Sequence, residues 1–309
     1  MNKPNFFVVG EPKSGTTSLH EFLSQHPQIT MSRVKEPYYF CTDLHAESDQ
    51  FHGKKLYFKY REKNKYLSIF NQDKKYEVVG ESSTFYIWSK NAAENIYNYD
   101  RKSKILIFLR NPIHFIHSLH SHWVVETYEN LCDFEDALSA EADRKTNWKK
   151  IPPRAYFPSM LYYTSMVDYA GQVGRFLKRF DHQQVKIVLF ETFQKNNEKI
   201  FKEILNFLEV DTSFKPDFKR LNTSKKPRIK TLNYLAQNVY FLETMKTILP
   251  YGLHAQIKKI GQNMLWKKTH RKEITTKVYD ELAKKFRKDV EAMSDVLHMD
   301  LKKEWKFDV

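Results

Sequence analysis

Residues 6–18, FFVVGEPKSGTTS, run an all-apolar stretch straight into a loop of glycine, lysine and hydroxyl side chains, the residue types that hold phosphate. In the usual nucleotide loop, Gly, four residues and then Gly-Lys-Ser/Thr, backbone N–H groups wrap the phosphates. The lysine reaches the terminal phosphates and the hydroxyl holds magnesium. Gly10 and Gly15 keep that spacing, but Thr16 stands where the lysine belongs and the lysine has moved into the loop, at Lys13. There its ammonium is placed for the bridging oxygen of a 5′-phosphate chain, which suits transfer of a terminal group without a metal.

A second apolar run, Ile105–Leu109, ends in Arg110, Asn111 and Pro112. A magnesium nucleotide site wants an acid at the end of such a strand. Arginine there selects a further anion instead, and Ser118 follows eight residues later on the next expected helix.

On these residues the chain resembles the sulfotransferases that use 3′-phosphoadenosine-5′-phosphosulfate (PAPS). The resemblance implies that Lys13, Ser14, Gly15, Thr16 and Thr17 bind the 5′-phosphosulfate and that Arg110 and Ser118 bind the 3′-phosphate. It also implies 3′-phosphoadenosine-5′-phosphate (PAP) as the product and no metal. Residues 34–40, VKEPYYF, resemble the segment of heparan-type members in which a glutamate before an aromatic pair is the catalytic base. Glu36 takes that place, with Lys35 beside it as a candidate contact to the sulfonate. Tyr38, Tyr39 and Phe40 are expected to desolvate Glu36 and raise its pKa.

Residues 80–86, GESSTFY, lie where heparan-type members carry Glu-Lys-Thr/Ser-Pro; Ser82 replaces the lysine and the proline is missing. Glu81 and Ser83 are candidate acceptor-pocket residues. The basic stretch LNTSKKPRIK, residues 221–230, resembles a loop that closes over the nucleotide, with Lys225, Lys226 and Arg228 as candidates. His114, His117, His120 and His122 share one helix but lack the glutamate or cysteine of a familiar metal set. His120 is instead a candidate second acid–base group near the acceptor. Residues 289–305 resemble the closing helix and terminal tryptophan, Trp305, of bacterial members.

The elements that must position these groups follow from pattern. Phe6–Val9, Ile29–Met31, Tyr76–Val79, Ile105–Leu109 and Val185–Phe190 are apolar throughout rather than alternating, as strands covered on both faces are. Helical patterns lie between them: Thr16–Ser24, Ser89–Tyr97, Pro112–Tyr128 with proline in its first turn, and a long stripe over Ser159–Phe180. Alternation of this kind predicts an α/β fold: a P-loop-like parallel sheet flanked by helices on both faces, with a mostly helical part after residue 210. Ligands of such folds sit at the carboxyl ends of the strands, where Gly10 and Arg110 both fall. One domain over residues 1–309 is expected.

Composition bounds the rest. With 41% hydrophobic and 28% charged residues the chain can build a large core, which excludes disorder. Its net charge of +14 favours polyanionic partners. Two cysteines, Cys41 and Cys132, exclude a disulfide framework. No basic-then-apolar leader and no apolar run of about 20 residues is present, so a cytoplasmic location and no transmembrane segment are expected.

The expected reaction is transfer of the sulfuryl group of PAPS to a hydroxyl, or secondarily an amine, of a carbohydrate or glycoconjugate. Glu36 is the general base, Lys13 stabilises the leaving phosphate, and nucleic acid is not a partner. The alternatives are a P-loop-related kinase or NTPase and a non-enzymatic polyanion-binding protein.

Overall fold

In a computed structural model, residues 2–70, 74–218, 225–227, 266–268 and 273–307 are described, 225–227 and 266–268 as backbone only. The chain falls into two compact units. The first is Met1–Phe115, Val167–Leu221 and Ala283–Val309; the second is Ile116–Met166 and Asn222–Leu282.

The first unit is built on five parallel strands: β1 (Phe6–Gly10), β2 (Ile29–Met31), β3 (Val78–Ser82), β4 (Lys104–Leu109) and β5 (Val185–Leu189). Their order is β2-β3-β1-β4-β5. All five expected strands are present. β3 lies two to three residues later than expected, so that Glu81 and Ser82 are strand residues, both buried. Apolarity alone misplaced it, because this central strand is buried over Gly80, Glu81 and Ser82 as fully as over Val78 and Val79.

Helices α1 (Thr16–Ser24), α2 (Thr42–His52), α3 (Lys63–Leu67) and α4 (Ala92–Tyr99) come from the first half of the unit. α5 (Pro112–Val125) leads into the second unit, which also holds α6 (Phe134–Ser139) and α7 (Glu141–Thr146). α8 (Tyr169–Leu177), α9 (Phe190–Lys195) and α10 (Asn197–Leu208) return to the first; α11 (Thr276–Leu297) and α12 (Leu301–Trp305) close the chain. Two short strands, β6 (Lys225–Pro227) and β7 (Trp266–Lys268), pair antiparallel.

One face of the sheet, through Phe6, Val8, Leu106, Phe108 and Val188, packs on Leu19, Phe22 and Leu23 of α1 and on Ile204, Leu205 and Leu208 of α10. From the other face Phe7 meets Phe40 edge to face at 5.6 Å. Each large side chain so buried contributes about 1.5–3 kcal/mol, which fixes the strand ends that carry the loops.

Three helices depart from expectation, the first being α5, which ends at Val125 rather than Tyr128. Ser89 does not begin α4; its hydroxyl accepts from Asn91 N–H and Ala92 N–H, and the helix starts at Ala92. The stripe over Ser159–Phe180 is not one helix: short 3₁₀ turns cover Pro158–Leu161 and Tyr163–Met166, and α8 begins only after Asp168. The Asp168 carboxylate accepts from Gly171 N–H, so the chain has a local cap there that competes with a continuous helix.

Candidate active site

Because all five strands run parallel, the loops after β1, β2, β3 and β4 leave from one edge, and each carries a sequence-predicted residue. The loop after β1 turns with Lys13 and Gly15 both at positive φ, 64° and 86°. A Cβ on Gly15 would also lie 3.3 Å from the Phe193 ring, so a larger residue is strained by its φ and must displace that ring by a few tenths of an ångström. Gly15 caps α1 with no side-chain acceptor, leaving first-turn N–H groups facing the loop. The Ser14 hydroxyl is buried and has no hydrogen-bond partner among the described residues. Thr16 is buried and Thr17 half-buried at the start of α1.

Arg110, at the end of β4, reaches this loop. Its Nη1 donates to the Lys13 carbonyl at 2.8 Å, and its guanidinium lies over the Phe190 ring, 4.6 Å from the centroid. Two motifs nearly a hundred residues apart therefore meet. Ser118, two turns into α5, lies in the second unit; its hydroxyl is buried without a hydrogen-bond partner among the described residues.

Glu36 sits at φ 62° on the loop after β2, and that loop is pinned to the end of β3. Glu36 N–H donates to the Ser82 carbonyl at 2.9 Å, and Tyr38 N–H donates to the Ser83 hydroxyl at 3.1 Å. The Thr84 hydroxyl donates to Glu36 Oε1 at 3.2 Å, and Lys35 Nζ to the same oxygen at 2.7 Å. Tyr38 stacks on Phe85 at 4.3 Å. Backbone strain of this kind persists only where surroundings over-determine it, as these bonds do.

The electrostatics of Glu36 correct the sequence reading. Burial does push its carboxyl upward, but the Lys35 ammonium and the donors from Lys35, Tyr38 and Thr84 together bring it below the ordinary value. The aromatic neighbours do not outweigh a cation at 2.7 Å. Glu36 is thus ionised, with Lys35 as its partner.

Glu81 behaves in the opposite way. Fully buried on β3, it is pushed up to about 8 by desolvation, with the Tyr86 and Tyr66 hydroxyls opposing. It is a neutral acid at pH 7, and Ser83 spends its oxygen on the loop. His120, in the second unit, donates from Nε2 to the Leu131 carbonyl at 2.8 Å between the rings of Phe134 and Tyr163. Lys225 and Lys226 lie on β6, paired with Lys268 and Lys267 of β7; Arg228 lies outside the described residues.

Three supporting groups escaped sequence reasoning. Thr84 and His20 carry no motif. The His20 Nδ1 lies 3.1 Å from the Ser82 hydroxyl, and burial, then Lys35, push its pKa to about 4, so it is neutral beside the Glu36 loop. The third is α9, which presents Phe190 to Arg110 and Phe193 to Gly15; in the sequence Phe190 reads as the last residue of a strand, with no helix after it.

The sulfotransferase domain family matches the chain over residues 3–238. The chain belongs to that family. Within the sulfotransferase domain family, a solved sulfotransferase from Alicyclobacillus acidocaldarius superposes with a TM-score of 0.71 at 26% identity, over 99% of this chain and 100% of that one. The membrane-associated sulfotransferase kil1 of Dictyostelium discoideum is 36% identical over 110 residues, 36% of this chain and 21% of its own. Human carbohydrate sulfotransferase 15 is 21% identical over 263 residues, covering 67% of this chain and 44% of its own. The human bifunctional heparan sulfate N-deacetylase/N-sulfotransferase 3 is 25% identical over 213 residues, covering 67% and 22%. The chain thus spans less than half the length of these curated relatives. Among the described residues no helix is long and apolar enough to cross a membrane.

Proposed function

We propose that this sulfotransferase-family chain transfers the sulfuryl group of PAPS to a hydroxyl of a carbohydrate or glycoconjugate. The observation that carries the reading is the contact of Arg110 with Lys13, which unites an anion-selective strand end and a phosphate-type loop in one place. The residues fit a 5′,3′-bisphosphorylated nucleotide. Among the described residues the buried Ser14 hydroxyl has no hydrogen-bond partner, N–H groups without a side-chain cap open α1, and β4 ends in arginine where a magnesium site needs an acid.

When bound, the donor supplies an activated sulfuryl group. Glu36 takes the proton of the attacking hydroxyl as the new O–S bond forms, and Lys13 holds the charge left on the phosphate oxygen as the old S–O bond breaks, helped by the N–H groups of α1. Lys35, released from Glu36 toward the sulfonate, would both neutralise the transferring group and restore basicity to Glu36. Arg110 and Ser118 are assigned to the 3′-phosphate, and Lys225, Lys226 and Arg228 to closure over the nucleotide, by their motifs alone; the contact with Lys13 supports only a place for Arg110 beside the phosphate loop. The carbohydrate class rests on the family relatives, whose names specify carbohydrate and heparan sulfate.

Calorimetric titration with PAP and with AMP, without magnesium, tests the donor. PAP is expected to bind more tightly, with the difference lost in Arg110→Ala. Equal affinity for PAP and AMP would overturn the reading. Glu36→Gln is then expected to keep PAP binding while turnover from PAPS falls by a factor of about 10²–10⁴.

A further inference from the structure

Trp305, the terminal tryptophan singled out in the sequence, has no role in the reaction just described, yet it is buried and hydrogen-bonded at the Arg110 turn. Its backbone carbonyl accepts from Asn111 Nδ2 at 2.9 Å, and its indole Nε1 donates to Glu191 Oε2 at 3.1 Å. The other oxygen of Glu191 accepts from Asn111 N–H at 3.0 Å, which closes a ring of three residues. Asn111 is the residue after Arg110, and its Oδ1 accepts from Ile113 and His114 N–H, starting α5.

The same ring reaches Arg110 from two further directions. Tyr169, edge to face with Trp305 at 6.1 Å, donates its hydroxyl to the Arg110 carbonyl at 2.9 Å. Glu191 directly follows Phe190, the ring on which the guanidinium lies. Backbone, carbonyl and guanidinium of Arg110 are therefore each held by a group that touches the ring or adjoins it in the chain.

We propose that Trp305, with Glu191, is a positioning residue for the donor site: the last helix latches the Arg110 turn and so sets selectivity for a 3′-phosphorylated nucleotide. The inference rests on the assignment of Arg110 to the 3′-phosphate. A guanidinium pre-set in one orientation binds a phosphate without the entropy of ordering its own chain segment, and loss of the latch returns that cost. A nucleotide lacking the 3′-phosphate makes no use of Arg110 and does not feel the difference.

The test is titration of Trp305→Phe, which keeps an aromatic ring but removes the pyrrole half with its N–H, with PAP and with AMP, alongside its thermal midpoint. PAP affinity is expected to fall about tenfold, the scale of one lost hydrogen bond to a charged group, with AMP affinity unchanged. Glu191→Gln offers only one accepting oxygen for two donors and is expected to give a similar loss. The double variant should lose little more than either single one. Should Trp305→Phe fail to fold, Glu191→Gln carries the same readout. An unchanged PAP-to-AMP ratio in a folded variant, or an equal fall for both nucleotides, overturns the latch. Absence of any PAP preference in the unsubstituted protein fails at an earlier point, in the assignment of Arg110 itself.

Discussion

Arg110 donates from Nη1 to the backbone carbonyl of Lys13 at 2.8 Å while its guanidinium rests on Phe190 at 4.6 Å from the ring centroid. The arginine thus braces the phosphate loop from one side while an aromatic face orients it from the other. Replacing Phe190 by leucine keeps an apolar contact and removes the π face. PAP affinity is expected to fall by a factor of about 2–30, the span of cation–π energies from exposed to desolvated sites. Titration calorimetry reads it directly, and an affinity equal to that of the unsubstituted protein would show that the loop alone orients Arg110.

Lys35 holds Glu36 below its ordinary pKa against the upward push of burial. Lys35→Met removes the cation and leaves the burial, so the Glu36 carboxyl should rise. The acid limb of the pH–rate profile of kcat/KM is then expected to move to higher pH, together with a fall in kcat from the lost sulfonate contact. A limb that stays in place would mean that Glu36 is not the group that titrates.

Glu81 gives a different pH dependence, one of stability. Its folded-state pKa of about 8 lies above the ordinary 4.5, so between those values the folded chain keeps a proton that the unfolded chain has released. Its contribution is highest below about pH 4.5, declines by about 1.4 kcal/mol per pH unit as pH rises, and has run out by about pH 8. Glu81→Gln, isosteric and unable to ionise, is expected to flatten that decline. Denaturant unfolding at pH 5 and pH 8 checks it, and equal slopes for the two proteins would refute it.

The second unit has its own buried charge pair. Arg144 donates from both Nη atoms to Glu129 at 2.7 Å, and Tyr163 and the N–H groups of Asn130 and Leu131 complete the carboxylate's shell. Removing one partner strands the other charge: Arg144→Met is expected to cost about 3–5 kcal/mol. The double change Arg144→Met, Glu129→Met should cost less than the single one. Unfolding midpoints of the two variants in urea decide between them.

Thr84, just after β3, holds the loop that follows β2 through Glu36 Oε1. Thr84→Val keeps shape and removes the donor, so kcat is expected to fall severalfold with PAP affinity unchanged. An equal fall in PAP affinity would place Thr84 in the general fold of the edge rather than at the base.

Much of this protein was legible along the chain. The apolar runs at Phe6–Val9 and Ile105–Leu109 declared buried parallel strands because residues covered on both faces cannot alternate. Lys13, Gly15 and Arg110 declared anion chemistry because spacing and strand-end position constrain what such side chains can reach. Local signals also misled: Ser159–Phe180 carries a helical stripe, yet Asp168 caps a shorter helix within it, and β3 extends over polar residues that no apolarity count would include.

Which groups stand at the strand ends, and that they suit anions, could be read from the chain alone, since strand pattern and loop chemistry are local properties. Their charge state and orientation depend on the assembled fold. The ionisation of Glu36 depends on Lys35 and Thr84 meeting one oxygen, the neutrality of Glu81 on burial from every side, and the setting of Arg110 on Phe190, Tyr169 and Trp305. Charge–charge and desolvation energies vary with distances between residues far apart in the chain, and those distances exist only once the sheet has assembled.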